Sequence, residues 1–253
     1  LMQQHMKHLI LLPLVLMPWI LSAQATEGEI TFSETVKLNI QLDDIEGENN
    51  AEMQKMLPTS QSSPTILLFN ENKSLYKNID NAENETGGNH EQGGMHMEFK
   101  IMRPENHVYR DLENGRIVES REFMGRFFLI DEEATRQAWK LTGEQKTILG
   151  YPCQKALLQD TSRKVEAWFT TQIPVSFGPG EFSDLPGMIL EISNGDRSAL
   201  ATKIELKALP KDAIEKPSKG KTIGRAEYKK LVDEKLKEMN ADGGGNVRMI
   251  IRN

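Results

Sequence analysis

The chain has a single cysteine, Cys153, in 253 residues, so no intramolecular disulfide can staple it. The neighbours Gly150-Tyr151-Pro152 and Gln154-Lys155 offer only Lys155 to lower the thiol pKa. Cys153 therefore reads as an ordinary buried thiol rather than a reactive one. Aromatic residues make up only 6%. Trp139, Trp168, Phe127, Phe128, Phe177 and Phe182 are too scattered to form a stacking platform for nucleic-acid bases. Positive charge is not in excess either: 31 Lys and Arg face 37 Asp and Glu, a net −6. The basic stripe of a nucleic-acid binder is missing, and no such partner is expected. No apolar run reaches the roughly 20 residues of a membrane-spanning helix. A Gly-x-Ser-x-Gly nucleophile elbow is also absent, which removes the commonest hydrolase signature.

The longest apolar run is Leu9 to Leu21, interrupted by Pro13 and Pro18. With Lys7 before it and Ala23-Gln24-Ala25 behind it, residues 1–25 read as a secretory signal peptide. No cysteine follows the cleavage point, so a lipoprotein-type anchor is not expected. The expectation is an exported protein, periplasmic or extracellular, with no transmembrane span in the mature chain.

Beyond it, the pattern is one of strands. From Glu29 to Leu42, Ile30, Phe32, Val36, Leu38, Ile40 and Leu42 share one face, and Thr31, Ser33, Thr35, Lys37, Asn39 and Gln41 the other. Period-two alternation predicts a long strand with one buried and one wet face; Glu34 breaks the apolar face. Thr65 to Phe69 and Ser74 to Ile79 predict a hairpin around Asn70-Glu71-Asn72-Lys73. Met95 to Arg103, Asn106 to Asp111, Arg116 to Phe123 and Arg126 to Ile130 continue as a meander, with Asn114-Gly115 as a tight turn. Lys146 to Leu149, Cys153 to Gln159, Lys164 to Thr170, Met188 to Ser193 and Ser198 to Leu206 follow, the third joined through Asp160-Thr161-Ser162-Arg163.

The fold class is mainly β: a curved antiparallel sheet or partly open barrel of about ten strands, since short connections favour antiparallel pairs. Residues 26–209 form this domain. Within it, residues 50–57 predict a short helix ended by Pro58, and residues 80–94, with almost no apolar side chain, predict a mobile loop. Residues 210–221 read as a polar linker. Residues 222–240 carry a C-terminal helix near 225–240, with Tyr228, Leu231, Val232, Leu236 and Met239 on one stripe. Residues 241–253 form a Gly-rich tail with a short terminal strand.

Three stretches resemble the GLPGLI family, secreted envelope proteins without an agreed activity. They are Trp139 to Ala156, Glu166-Ala167-Trp168-Phe169-Thr170 with Ile173-Pro174, and the loop from Gly178 to Glu191. The signature hexapeptide is Asp184-Leu185-Pro186-Gly187-Met188-Ile189 here, with Asp for Gly first and Met for Leu fifth. Asp can stand for Gly in that first place only if the backbone tolerates the left-handed region, which Asp does better than most residues. A looser similarity links the strand order to lipoprotein-carrier-type open barrels, which hold acyl chains in their hollow.

These resemblances imply a non-enzymatic protein that binds an apolar ligand or an envelope partner on its curved sheet. Pro179, Phe182, Asp184, Leu185, Pro186 and Gly187 would then form the binding loop at its mouth. Asp184 is the loop's one candidate for acid–base work, and a turn-forming role capping its own backbone outweighs it. Two other readings stand beside this one. The first is an envelope assembly module docking through the helix and the strand Arg248 to Arg252. The second is metal binding through His90, Met95, His96, Met97 and His107, whose thioether and imidazole groups suit copper. On a strand, however, Met95 and Met97 face away from His96. No cofactor is expected.

Overall fold

The structure, a computed structural model, describes residues 26–41, 58–79, 85–92, 95–102, 104–160, 164–241 and 248–250. The signal-peptide region, the short helix at 50–57 and the turn at 161–163 lie outside the described residues.

Two runs of strands make the frame. The first contains β1 (Gly28–Lys37), β2 (Asn39–Gln41), β3 (Ser60–Phe69), β4 (Lys73–Asn78), β5 (Glu85–Gln92), β6 (Met95–Met102), β7 (Asn106–Asp111), β8 (Arg116–Phe123) and β9 (Arg126–Glu133). The second contains β10 (Trp139–Ile148), β11 (Tyr151–Leu158), β12 (Val165–Thr170), β13 (Met188–Asn194) and β14 (Arg197–Glu205). After a long strap come β15 (Lys221–Thr222), the helix α1 (Arg225–Ala241) and β16 (Arg248–Ile250).

Twelve strands join one sheet in the order β10-β11-β12-β13-β14-β1-β3-β4-β7-β8-β9-β15. Its pairs are antiparallel except for the two-residue parallel pairing of β15 with β9. The sheet is mainly antiparallel, curved and open, not closed into a barrel, as the alternation predicts. Its centre is β1, paired with β14 on one side and β3 on the other. Ile30 and Phe32 point inward and are fully buried. Glu34, next on that face, accepts a hydrogen bond from the Tyr76 hydroxyl at 2.9 Å. That hydroxyl lies 2.7 Å from Thr65 Oγ1. A carboxylate in an otherwise apolar row is thus met by the Tyr76 hydroxyl of β4, itself bonded to Thr65 of β3.

Two expectations differ from the structure. Residues 85–92, expected as part of a mobile loop, form β5 and pair with β6. Backbone pairing does not require apolar side chains, so a Gly-rich polar segment can extend along a partner strand. The supposed linker is a strap. Ile214 packs on Leu75, Tyr109 and Val118 on the sheet's outer face, Ser120 Oγ donates to Lys219 O at 2.8 Å, and Lys216 pairs with Asp131 at 2.7 Å. A few anchors hold this otherwise polar segment down.

The inner face carries the core. Over β10 to β14 and β1, it is filled by the long loop between β12 and β13, through Ile173, Val175, Phe177, Phe182 and Leu185. Over β8 and β9 it is filled by α1, where Tyr228 and Leu231 pack with Phe128, Ile130 and Ile223. Among the described residues, no helix is long and apolar enough to cross a membrane.

Candidate functional site

Loop and helix meet over β7 and β8, where charged residues stand among the inward positions. In β7, Val108 and Arg110 face inward; in β8, Ile117, Glu119 and Arg121 do, with Glu119 opposite Val108 and Ile130. Glu119 is fully buried. Its Oε2 accepts from Arg121 Nε at 2.5 Å, and its Oε1 from Arg225 Nη2 at 2.6 Å. Arg225 opens α1, and Glu132 of β9 receives both its backbone N–H (2.8 Å) and its Nε (3.2 Å). Burial alone would push the Glu119 carboxyl up, but the guanidinium groups of Arg121 and Arg225 outweigh it and hold it below the usual range.

Arg110, 5% exposed, donates from Nη2 to the Glu181 carbonyl at 2.7 Å. Its guanidinium is pushed down by burial and by Arg225, against the pull of Asp184, Glu181 and Glu119. Arg225 Nη1 also reaches the Glu181 carboxylate at 3.8 Å. One loop residue therefore binds the sheet through its backbone and the helix through its side chain.

Gln137, between β9 and β10, clamps the same loop. Its Oε1 accepts the Ser183 backbone N–H at 2.9 Å, its Nε2 donates to Glu181 O at 3.1 Å, and its own N–H donates to Asp184 Oδ2 at 2.9 Å. Trp139 Nε1 adds a bond to Ser183 O at 2.7 Å. Asp184 takes φ 69°, the left-handed backbone that its position demands. Its carboxylate caps Gln137, however, and not its own turn.

The six loop residues singled out from sequence divide. Pro179, Phe182, Leu185 and Gly187 are buried, while Asp184 and Pro186 are exposed. Gly187 is required by contact: a Cβ there would stand 2.1 Å from Thr170 O. The segment is wedged into the core and is not an open mouth. An apolar ligand in the sheet's hollow has no physical basis, because loop and helix side chains occupy that side.

In the Met/His segment, β5–β6 register sets His90 opposite Met97 and His96 opposite Glu91. His107 lies on β7, where Nε2 is 3.4 Å from Glu105 Oε1. Among the described residues, no group of three or more His, Cys, Asp or Glu is placed to hold a metal ion. Cys153 is buried, and burial pushes its thiol up to about 11.

Sequence reading missed the arginine–carboxylate network. Its one local sign was Arg110 and Glu119 at inward positions of alternating strands. Arg225 lies more than a hundred residues from its partner Glu119 and gave no sign.

Residues 98–230, more than half of the chain and the stretch holding this whole network, match the family model described as N-glycanase peptide, N-terminal domain. Solved structures of PNGF-II in the P21 and C2 space groups are similar, with a TM-score of 0.53 in both cases. Their sequences are 20% and 18% identical over 83% and 82% of this chain. That likeness is one of fold. The chain spans 34% and 33% of those chains, about a third of their length. No curated protein matches. The GLPGLI reading is thereby overturned, and with it the apolar-ligand binder that it implied. The quoted stretches encode a strand hairpin and a loop-to-strand junction, local geometry open to many curved antiparallel sheets.

Proposed function

This chain belongs to the family described as N-glycanase peptide, N-terminal domain, and from that premise we propose that it is a non-catalytic domain serving the removal of N-linked glycans. It works beside a glycan-releasing partner, in the same polypeptide or another, and holds the glycoprotein in place. One observation supports the non-catalytic part: the carboxylates converging on the inner face are already engaged. Glu119 and Glu132 hold arginines, Glu181 lies against Arg225, and Asp184 caps Gln137. A general acid needs a carboxyl raised toward neutrality, and Glu119 is shifted the other way.

Export is the matching place of work, supported by Lys7, the run Leu9 to Leu21 and Ala23-Gln24-Ala25.

The test is glycan release from a native glycoprotein, followed by mass spectrometry. The purified chain alone should release nothing. PNGF-II with its matching third replaced by this chain should retain release. Release by the chain alone would end the non-catalytic reading, and a folded but inactive chimera would end the supporting role.

A further inference from the structure

The outer face of the sheet carries a straight row of side chains, of which Trp168 also packs against the edge of the core. Register places Trp168 of β12 opposite Glu191 of β13, Glu191 opposite Leu200 of β14, Leu200 opposite Ser33 of β1, and Ser33 opposite Pro64 of β3. Their neighbours along each strand, among them Ala167, Phe169, Ile192, Ala199, Ala201, Phe32 and Thr65, are buried. The row therefore faces outward. Leu200 is 43% exposed, Pro64 is exposed and Trp168 half-buried. Isolated exposed leucines mean little. Here three apolar surfaces recur on every second strand, with a carboxylate and a hydroxyl between them.

One step along the same face lies a second row in the same register: Ser193, Ser198, Thr35 and Ser62. Two of its hydroxyls bond to each other, Thr35 Oγ1 lying 2.7 Å from Ser62 Oγ. Adjacent strands are about 4.8 Å apart, close to the advance per sugar of an extended β-linked pyranose chain. Such a chain alternates C–H faces with hydroxyl edges, as the first row alternates apolar with polar side chains.

The ionic groups around Trp168 are mutually paired. Lys146 binds Glu191, Lys155 binds Glu166 at 3.2 Å, and the Lys146 and Lys155 ammonium groups lie 4.3 and 5.8 Å from the indole centroid. Paired in this way, they favour a neutral ligand over an anionic one and supply donors and acceptors beside the ring. Lys146 has to swing off the ring face for a sugar to stack there, giving up a cation–π contact and its pairing with Glu191, each worth little at a surface.

We propose that this outer face, from Trp168 across Leu200 to Pro64, binds a neutral β-linked oligosaccharide lying across the strands. The inference rests on the glycan-related reading above and names the surface that would serve it.

Isothermal titration of the full chain with tetra-N-acetylchitotetraose tests it, with maltotetraose, an α-linked chain that curls, as control. Saturable binding is expected for the first alone. Trp168→Ala and Leu200→Asp should each weaken it at least about tenfold with unchanged circular dichroism, Leu200→Asp also with an unchanged melting temperature. No saturable binding, equal binding of both sugars, or binding that survives both substitutions would overturn the site. Failure of the PNGF-II chimera with binding intact would sink the supporting role and leave this site standing.

Discussion

Arg225 and Glu119 join the helix to the sheet: Nη2 donates to Oε1 at 2.6 Å, and the accepting carboxylate is wholly buried. Removing Glu119 strips Arg121 and Arg225 of a shared carboxylate, although Arg225 keeps Glu132 and both arginines reach water. Glu119→Ala should cost about 1–3 kcal/mol, read as a lower urea midpoint with an unchanged slope. Arg225→Ala should cost less, since Arg121 still holds Glu119.

The same pair sets an acid limit. The folded Glu119 carboxyl lies below its ordinary value of 4.5. Its contribution is therefore fully present above the unfolded value and is lost as pH falls through the folded one. Thermal melts from pH 6 to pH 2 should show stability dropping below about pH 4.5, and Glu119→Gln should flatten that drop.

Gln137→Ala strips the Ser183 N–H and the Glu181 carbonyl of a side-chain partner. Leaving a buried donor unmet costs about 1–3 kcal/mol. Hydrogen exchange should rise first at Ser183 and its neighbours, before global unfolding.

Gly187→Ala and Pro186→Ala should separate cleanly. The first forces a methyl against Thr170 O and should cost more than about 4 kcal/mol, the range of severe backbone clashes. The second is exposed and should stay within about 0.5 kcal/mol. Equal melting temperatures for the two would refute the packing described for this loop.

Met124 and Leu149 stand exposed at hairpin tips with φ 52° and 49°. A left-handed backbone costs such side chains about 1–2 kcal/mol, and each is followed by a glycine that also has positive φ. Met124→Asn and Leu149→Asn should each raise stability by about 0.5–1 kcal/mol, visible as a higher melting temperature.

How far the sequence could be read depends on the range of each interaction. The alternation from Ile30 to Val36, the hairpin around Asn70 and the left-handed backbone at Asp184 are all local, and each is present. The strap was misread because its composition is that of a linker; its apolar anchors, Ile214 and Ile223, sit in no periodic run, and its polar anchors, Lys216 and Lys219, look like any solvated lysine. Gln137, with no apolar pattern beside it, reaches loop residues more than forty positions away. The inner face was expected to be hollow because strand periodicity says which side is apolar, not what later segment covers it.

β10 ends the twelve-stranded sheet, while β9 near the other end is shielded over two residues by β15. An unshielded ladder of amides invites neighbouring copies to stack into fibrils. Here its register shifts between Leu141 and Gln145, and Lys140, Glu144 and Lys146 stud the same stretch. The irregularity spoils the template and the charges repel a second copy, so concentrated protein should stay dispersed without a chaperone to guard that rim.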